Sequence, residues 1–264
     1  MNGPFPLRGA MNKLEEASMK LRNVRDRRRR DLLKAAGAGG VLCALPLIGS
    51  FAAAQDRKLK VGMIGSGKVG SALGRVWAKA GYEVMFSSRT VSSDQKLAEE
   101  IGVNVRAGTP QQAAAFGEVL VFAVPYGALP ELGKSLQDSI KGKVVIDACN
   151  PFPQRDGEIA NRAREKGAGL VSAELLPGAR IVRAFNAIGA ASMGKAYEQP
   201  GRIGMPIAGD DAQAIEVAAR MIRDIGYEPV LVGGLAMGKY LMPGTPLAGE
   251  RTPEEIRKIA AKLQ

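Results

Sequence analysis

The stretch Lys60–Thr90, KVGMIGSGKVGSALGRVWAKAGYEVMFSSRT, decides the reading of this chain. A short apolar run, Lys60–Ile64, leads into Gly65-Ser66-Gly67-Lys68-Val69-Gly70. A helical pattern follows over Val69–Ala80, and a second strand pattern over Glu83–Ser87. A strand that turns through G-x-G-x-x-G into a helix and returns as a strand is the context in which that glycine pattern holds a dinucleotide. Gly65 permits the tight turn, and Gly67 lets the backbone approach a pyrophosphate at the positive end of the helix. Gly70 lets helix and strand pack closely.

The end of the second strand selects the nucleotide. An Asp or Glu there would accept hydrogen bonds from the ribose hydroxyls of NAD and repel a 2′-phosphate. This chain has Ser87, Ser88, Arg89 and Thr90 instead. A guanidinium fork and neighbouring hydroxyls suit a phosphate, and Ser66 in the glycine turn could approach the same group. The expectation is NADP(H) rather than NAD.

Further along, β-branched runs alternate with helical stretches. Strands are expected at Val103–Arg106, Val119–Ala123, Lys143–Asp147 and Arg180–Ala184. Helices are expected at Asp94–Gly102, Pro110–Phe116, Leu129–Ser139, Glu158–Lys166 and Ile188–Met193. A strand in GRIGMPIAGDD, a helix over Ala212–Gly226, a strand in EPVLVGG and a capped helix from Thr252 complete the pattern. This order predicts an α/β fold, a Rossmann-type doubly wound and mostly parallel sheet, with a small C-terminal α/β extension. The boundaries expected are a signal segment at 1–54, a nucleotide domain at 55–190 and the extension at 191–264. Ligands lie at the carboxyl ends of parallel strands, which brings in Val124 and Pro125, Cys149 and Asn150, and the run from Arg183 to Ala190. Val124-Pro125-Tyr126 is expected to turn out over the cofactor. Asn186 and Ile188 are expected to meet whatever lies against the nicotinamide.

Composition removes several functions. The chain has no histidine, so a Ser-His-Asp triad, a His-ligated metal and a histidine base are excluded, and no metal site or catalytic acid is expected. Residues 1–54 hold ten Lys and Arg against four acidic residues, which is +6 of the total charge of +11. The remaining +5 is ordinary and aromatics are scarce, so no nucleic-acid partner is expected. A basic region, RNVRDRRRRDLLK, precedes an apolar small-residue run that ends at Ala52 and Ala54, the layout of a secretory signal. Arg29-Arg30-Asp31-Leu32-Leu33-Lys34 resembles a twin-arginine consensus. Export to the periplasm follows as an expectation, with no membrane span kept after signal removal. Beyond residue 54 the one cysteine is Cys149, which suits a protein exported already folded.

The series IGSGKVGSALG, SSRT, VFAVPYGALPEL, VVIDACNPF, LLPGARIVRAFNAIG and AGDDAQAIEVAARMIRDIGYEPVLVGGL resembles the NADPH-dependent coenzyme F420 reductases. The cytosolic domains of six-transmembrane metalloreductases are related to these. The resemblance spans about residues 58–240 and implies hydride transfer between NADPH and a flat redox acceptor of deazaflavin or flavin type. It implies a pyrophosphate at Gly65, Ser66, Gly67, Lys68 and Val69, beside Gly70. A 2′-phosphate is implied at Ser88, Arg89 and Thr90. Val124, Pro125, Asn150 and Ala190 would lie near the ribose and nicotinamide, and Asn186 and Ile188 by the acceptor ring. Three departures stand out: the export signal, Asn186 where a histidine is expected, and a C-terminal segment unlike the family's ending. They leave the acceptor open among deazaflavin, flavin, quinone and ferric complex. Reduction of an imine or carbonyl, or a non-catalytic NADP-binding redox sensor, are the alternatives. A homodimer contact through the extension is also open.

Overall fold

A computed structural model describes residues 57–102 and 104–263. The expected signal segment lies outside the described residues. Five strands, β1 (Val61–Ile64), β2 (Val84–Ser87), β3 (Val105–Gly108), β4 (Val119–Phe122) and β5 (Val144–Asp147), run parallel with β6 (Arg180–Arg183). The sheet is closed out by β7 (Gly204–Gly209), antiparallel to β6, and by β8 (Glu228–Gly233), parallel to β7. The order is β3-β2-β1-β4-β5-β6-β7-β8, which reverses direction at β1. This is the doubly wound Rossmann sheet expected from the alternating pattern, with the extension adding two strands to the same sheet.

Because both faces are covered, successive strand residues enter opposite cores. Val61, Met63, Val119 and Val121 face one cluster, while Ile64, Leu120 and Phe122 face the other. The first face packs α1 (Lys68–Lys79), α2 (Val91–Ile101) and α9 (Ala212–Asp224). The second packs α3 (Pro110–Phe116), α4 (Leu129–Ser135), α7 (Glu158–Lys166) and α8 (Ala168–Leu175). Two single-turn helices, α5 (Gln137–Ile140) and α6 (Pro153–Asp156), lie in the connections, and α10 (Pro253–Ala260) covers β7 and β8. Trp77 of α1 donates from Nε1 to the Met221 carbonyl of α9 at 3.0 Å, binding the two helices of one face. Among the described residues no helix is long and apolar enough to cross a membrane.

Several elements differ from expectation for local reasons. α2 begins at Val91 with Thr90 as its N-cap, so Asp94 lies inside the first turn rather than opening the helix. β3 starts two residues later than expected, at Val105. The expected helix Leu129–Ser139 breaks at Leu136 into α4 and α5. α8 was not expected, because AGLVSAEL is apolar all round and carries no amphipathic signal. The expected helix Ile188–Met193 is one 3-10 turn at Ala190–Ser192, held after an abrupt bend at Phe185.

Trp77→Phe is expected to lower stability by about 1–3 kcal/mol, because the Met221 contact and part of the ring volume are lost. Urea unfolding followed by circular dichroism reads this as a lower midpoint at unchanged slope.

Candidate nucleotide site at the strand ends

The crevice forms where the strand order reverses, between β1 and β4. Gly65 takes φ +105°, in the left-handed region that a side chain disfavours. Its N–H donates to the Ser87 carbonyl at 2.9 Å, tying the turn to the end of β2. A Cβ at Gly65 would collide with the Ala123 carbonyl, and one at Gly70 would overlap the Gly65 carbonyl. The turn, the helix and the end of β4 can meet only because these side chains are missing. Gly67 is different: a Cβ there meets nothing within 4 Å. It is the N-cap of the twelve-residue α1, with no side-chain cap and no acidic residue in the first turn. The helix therefore presents its positive end to open space, which fits a pyrophosphate.

Lys68 in the turn and Arg89 and Thr90 at the end of β2 are exposed, and neither cation has an ion-pair partner among the described residues. Ser66 and Ser88 are half-buried. Both hydroxyls donate to the carboxylate of Asp94, Ser88 at 2.8 Å. Asp94 was missed in the sequence, where it reads as an ordinary acidic residue at the start of a helix. Val69 is half-buried and packs on the core behind the turn.

The other side of the crevice, where the sequence places the nicotinamide, is built from the ends of β4, β5 and β6. Val124 is half-buried beside Gly65, and Pro125 is exposed at the rim. Tyr126 does not cover the crevice. It is fully buried, and its hydroxyl donates to the Ala168 carbonyl at 2.8 Å with Ser172 Oγ at 3.1 Å. Burial raises its pKa, so it is a neutral anchor between the rim and α8.

Beneath the rim lies a buried polar cluster. Arg183 NH1 meets Asp147 Oδ2 at 2.6 Å, with both side chains inaccessible, and NH2 donates to the Cys149 carbonyl at 3.1 Å. Asn186 Nδ2 donates to the same carbonyl at 3.2 Å, and Asn150 Nδ2 donates to the Asn186 carbonyl at 2.9 Å. Asn150 and Asn186 each keep a buried Oδ1 without a hydrogen-bond partner. Orphaned amide oxygens at this depth fit the amide donor of a nicotinamide. Asn186 and Ile188 are buried and Ala190 is half-buried. Cys149 is buried; burial, then the Asp147 charge, pushes its thiol well up, which makes it unreactive.

Phe185 sets this arrangement. It holds φ +66°, the one positive φ outside glycine among the described residues, and its ring stands edge-on to Trp77 and Tyr227 at centroid distances of 5.7 and 6.0 Å. The ring anchors in one core while the bend carries Asn186 toward Cys149 on the other side. Next to Asn150, Arg155 donates to the Asn150 carbonyl and to both oxygens of Asp156, each at 2.8 Å. Its guanidinium also covers the exposed Phe152 ring at 5.0 Å.

The profile of the family described as NADP oxidoreductase, coenzyme F420-dependent, matches residues 60–151. The F420-dependent NADP reductase of Methanothermobacter thermautotrophicus is 31% identical over 206 residues, covering 72% of this chain and 87% of that protein. The chain belongs to the F420-dependent NADP reductase family. It is an NADP oxidoreductase. The metalloreductase STEAP3 of Rattus norvegicus is 28% identical over 194 residues, covering 72% of this chain but 37% of that longer protein. Among solved structures, a hypothetical protein of Sinorhizobium meliloti is 26% identical with a TM-score of 0.63. That match covers 76% of this chain and 98% of that one. The profile of the F420-dependent NADP reductase family ends at Asn150-Pro151, so the Asn186 and Phe185 wall lies beyond the segment it matches.

Breaking the buried pair should be costly. Asp147→Asn or Arg183→Met alone is expected to lose about 3–5 kcal/mol, and Asp147→Leu with Arg183→Met together much less, read by denaturant unfolding. The Asp156 clamp has a pH signature. Burial alone would raise its pKa, but the Arg155 and backbone N–H hydrogen bonds outweigh this and hold it below the usual aspartate range. Its contribution is present above about pH 4 and is lost as pH falls through the lowered value. Thermal melts against pH should show a smaller loss between about pH 4 and the acid limb in Asp156→Asn than in the parent protein, the other lowered carboxylates being common to both.

Proposed function

We propose that this oxidoreductase transfers hydride between NADPH and a flat ring acceptor of deazaflavin type. The observation that carries the reading is the chemistry of the nicotinamide end. Two amides with orphaned oxygens, Asn150 and Asn186, stand among apolar Val124, Pro125 and Ile188, with a neutral buried thiol and no histidine. Reduction of an imine or carbonyl develops charge on nitrogen or oxygen that asks for a nearby proton donor. Hydride passing between two stacked rings asks chiefly for orientation and exclusion of water, which this wall can supply. Phe152, next to Asn150, keeps part of its ring exposed beside the Arg155 guanidinium that stacks on it, an apolar edge near the amides. The two Methanothermobacter relatives, both F420-dependent NADP reductases, point the same way.

In this reading NADP(H) supplies the hydride when bound. Gly65, Ser66, Gly67, Lys68 and Val69 with Gly70 cradle the pyrophosphate, and Ser88, Arg89 and Thr90 surround the 2′-phosphate. Val124, Pro125, Asn150 and Ala190 orient the ribose and nicotinamide, and Asn186 and Ile188 back the acceptor side. The basic and apolar segment at residues 1–54 supports export on a twin-arginine route, with the protein folded and carrying its nucleotide.

Stopped-flow oxidation of NADPH with deazaflavin, FMN, ferric chelates and imines tests the acceptor. Fast turnover with deazaflavin supports the proposal, and turnover with imines alone overturns it. Arg89→Glu is expected to shift the NADPH:NADH preference toward NADH by at least about tenfold, measured as Kd. Protein purified from a periplasmic fraction should contain NADP(H), and its consistent absence there removes the export reading.

A further inference from the structure

The Asp94 carboxylate occupies an unusual place for a 2′-phosphate site. It is 1% exposed and accepts both hydroxyls that flank the expected phosphate position, those of Ser66 and Ser88. Ser88 Oγ also accepts the Thr90 N–H at 3.1 Å. A hydroxyl carries one proton. Once that proton points into Asp94, a ligand meets only oxygen lone pairs. A ribose 2′-hydroxyl is a donor and suits such a surface, whereas a phosphate dianion is an acceptor and does not. Asp94 also brings a negative charge that burial leaves poorly screened. Lys68 and Arg89, both exposed and without ion-pair partners among the described residues, supply the opposing positive charge.

We infer that Asp94 is a specificity-determining residue that turns the Ser66–Ser88 pair into an acceptor surface, leaves the 2′-phosphate to Arg89 with only the nearby charge of Lys68 from the pyrophosphate cradle to help, and so opens the site to NADH as well as NADPH. The inference rests on the nucleotide reading above. It also separates two jobs of one side chain. As a bridge between the glycine turn and the end of β2, Asp94 positions the pocket; as an acceptor-only group, it weakens the choice of phosphate. Asparagine keeps the bridge and changes the second job. Its Nδ2 donates to one serine oxygen, which frees that serine's proton for a ligand.

Nicotinamide fluorescence titration of the full chain with NADPH and with NADH tests this. The parent protein is expected to bind both, with Kd values within about 100-fold of each other. Asp94→Asn should widen the preference for NADPH by about tenfold. The double variant Lys68→Gln/Arg89→Ser, altered only at exposed positions, should bind NADH more tightly than NADPH, since the buried charge then faces the phosphate unopposed. An unchanged or narrowed preference in Asp94→Asn overturns the inference. So does a double variant that still prefers NADPH, which decides the matter even where Asp94→Asn fails to fold. A parent protein that binds neither nucleotide overturns the site reading itself. Loss of NADPH preference in Arg89→Ser with no response to Asp94→Asn removes the role of Asp94 alone.

Discussion

The carbonyl oxygen of Gly65 lies where a Cβ of residue 70 would have to be, and the crevice depends on that contact. Any side chain at position 70 would push α1 away from the turn. Any side chain at position 65 would meet the Ala123 carbonyl and would need a left-handed backbone. With α1 drawn in, Gly74 comes against the Phe86 ring of β2, and Trp77 reaches Met221 on α9. One steric constraint at the turn thereby sets the depth of the helix layer on that whole face and leaves the positive end of α1 facing open space.

The opposite end of the crevice is organised by polarity rather than by missing side chains. Asp147 and Arg183 are fully buried and neutralise one another across β5 and β6. Their spare hydrogen-bonding capacity fixes the backbone around Cys149, to which Asn186 is also tied. Gly169 and Gly238 leave room for the Arg183 stem between α8 and the segment after β8. The extension is thus joined to the wall through the space that its glycine provides. A buried pair adds little net stability. What it supplies here is a defined placement of amides at the end of the strands.

The two ends differ in how they handle charge. At the pyrophosphate end the protein offers backbone N–H groups and exposed cations. At the ends of β4, β5 and β6 it offers neutral amides and apolar surface. Between the glycine turn and β2 stands the carboxylate of Asp94, an anion inside an otherwise positive rim. Such a division of charge suits chemistry in which a cofactor ring does the work and the protein orients it.

The doubly wound order, the glycine turn, the exposed Arg89 and the absence of histidine were all legible in the sequence, because each follows from local chemistry. Periodicity announces a strand that alternates with helices, and G-x-G-x-x-G names a turn whose first and last glycines have no room for a side chain. The rest was not legible, because it depends on residues far apart in the chain. Asp94 reads as a helix-start acid until α2 is docked, when its first turn meets Ser66, 28 residues earlier. Tyr126 reads as a lid until α8, itself invisible to periodicity, accepts its hydroxyl. Asn186 reads as a contact to whatever lies against the nicotinamide, and only the strained bend at Phe185, held between Trp77 and Tyr227, shows it tied to the Cys149 carbonyl and fully buried. Sequence alone determined the glycine turn and the type of charge beside it, since backbone sterics and residue type decide those locally. Which hydroxyls point at the ligand, and which amides keep a free oxygen, only the tertiary structure decided, because a hydrogen bond is allotted by the neighbour that folding brings to it.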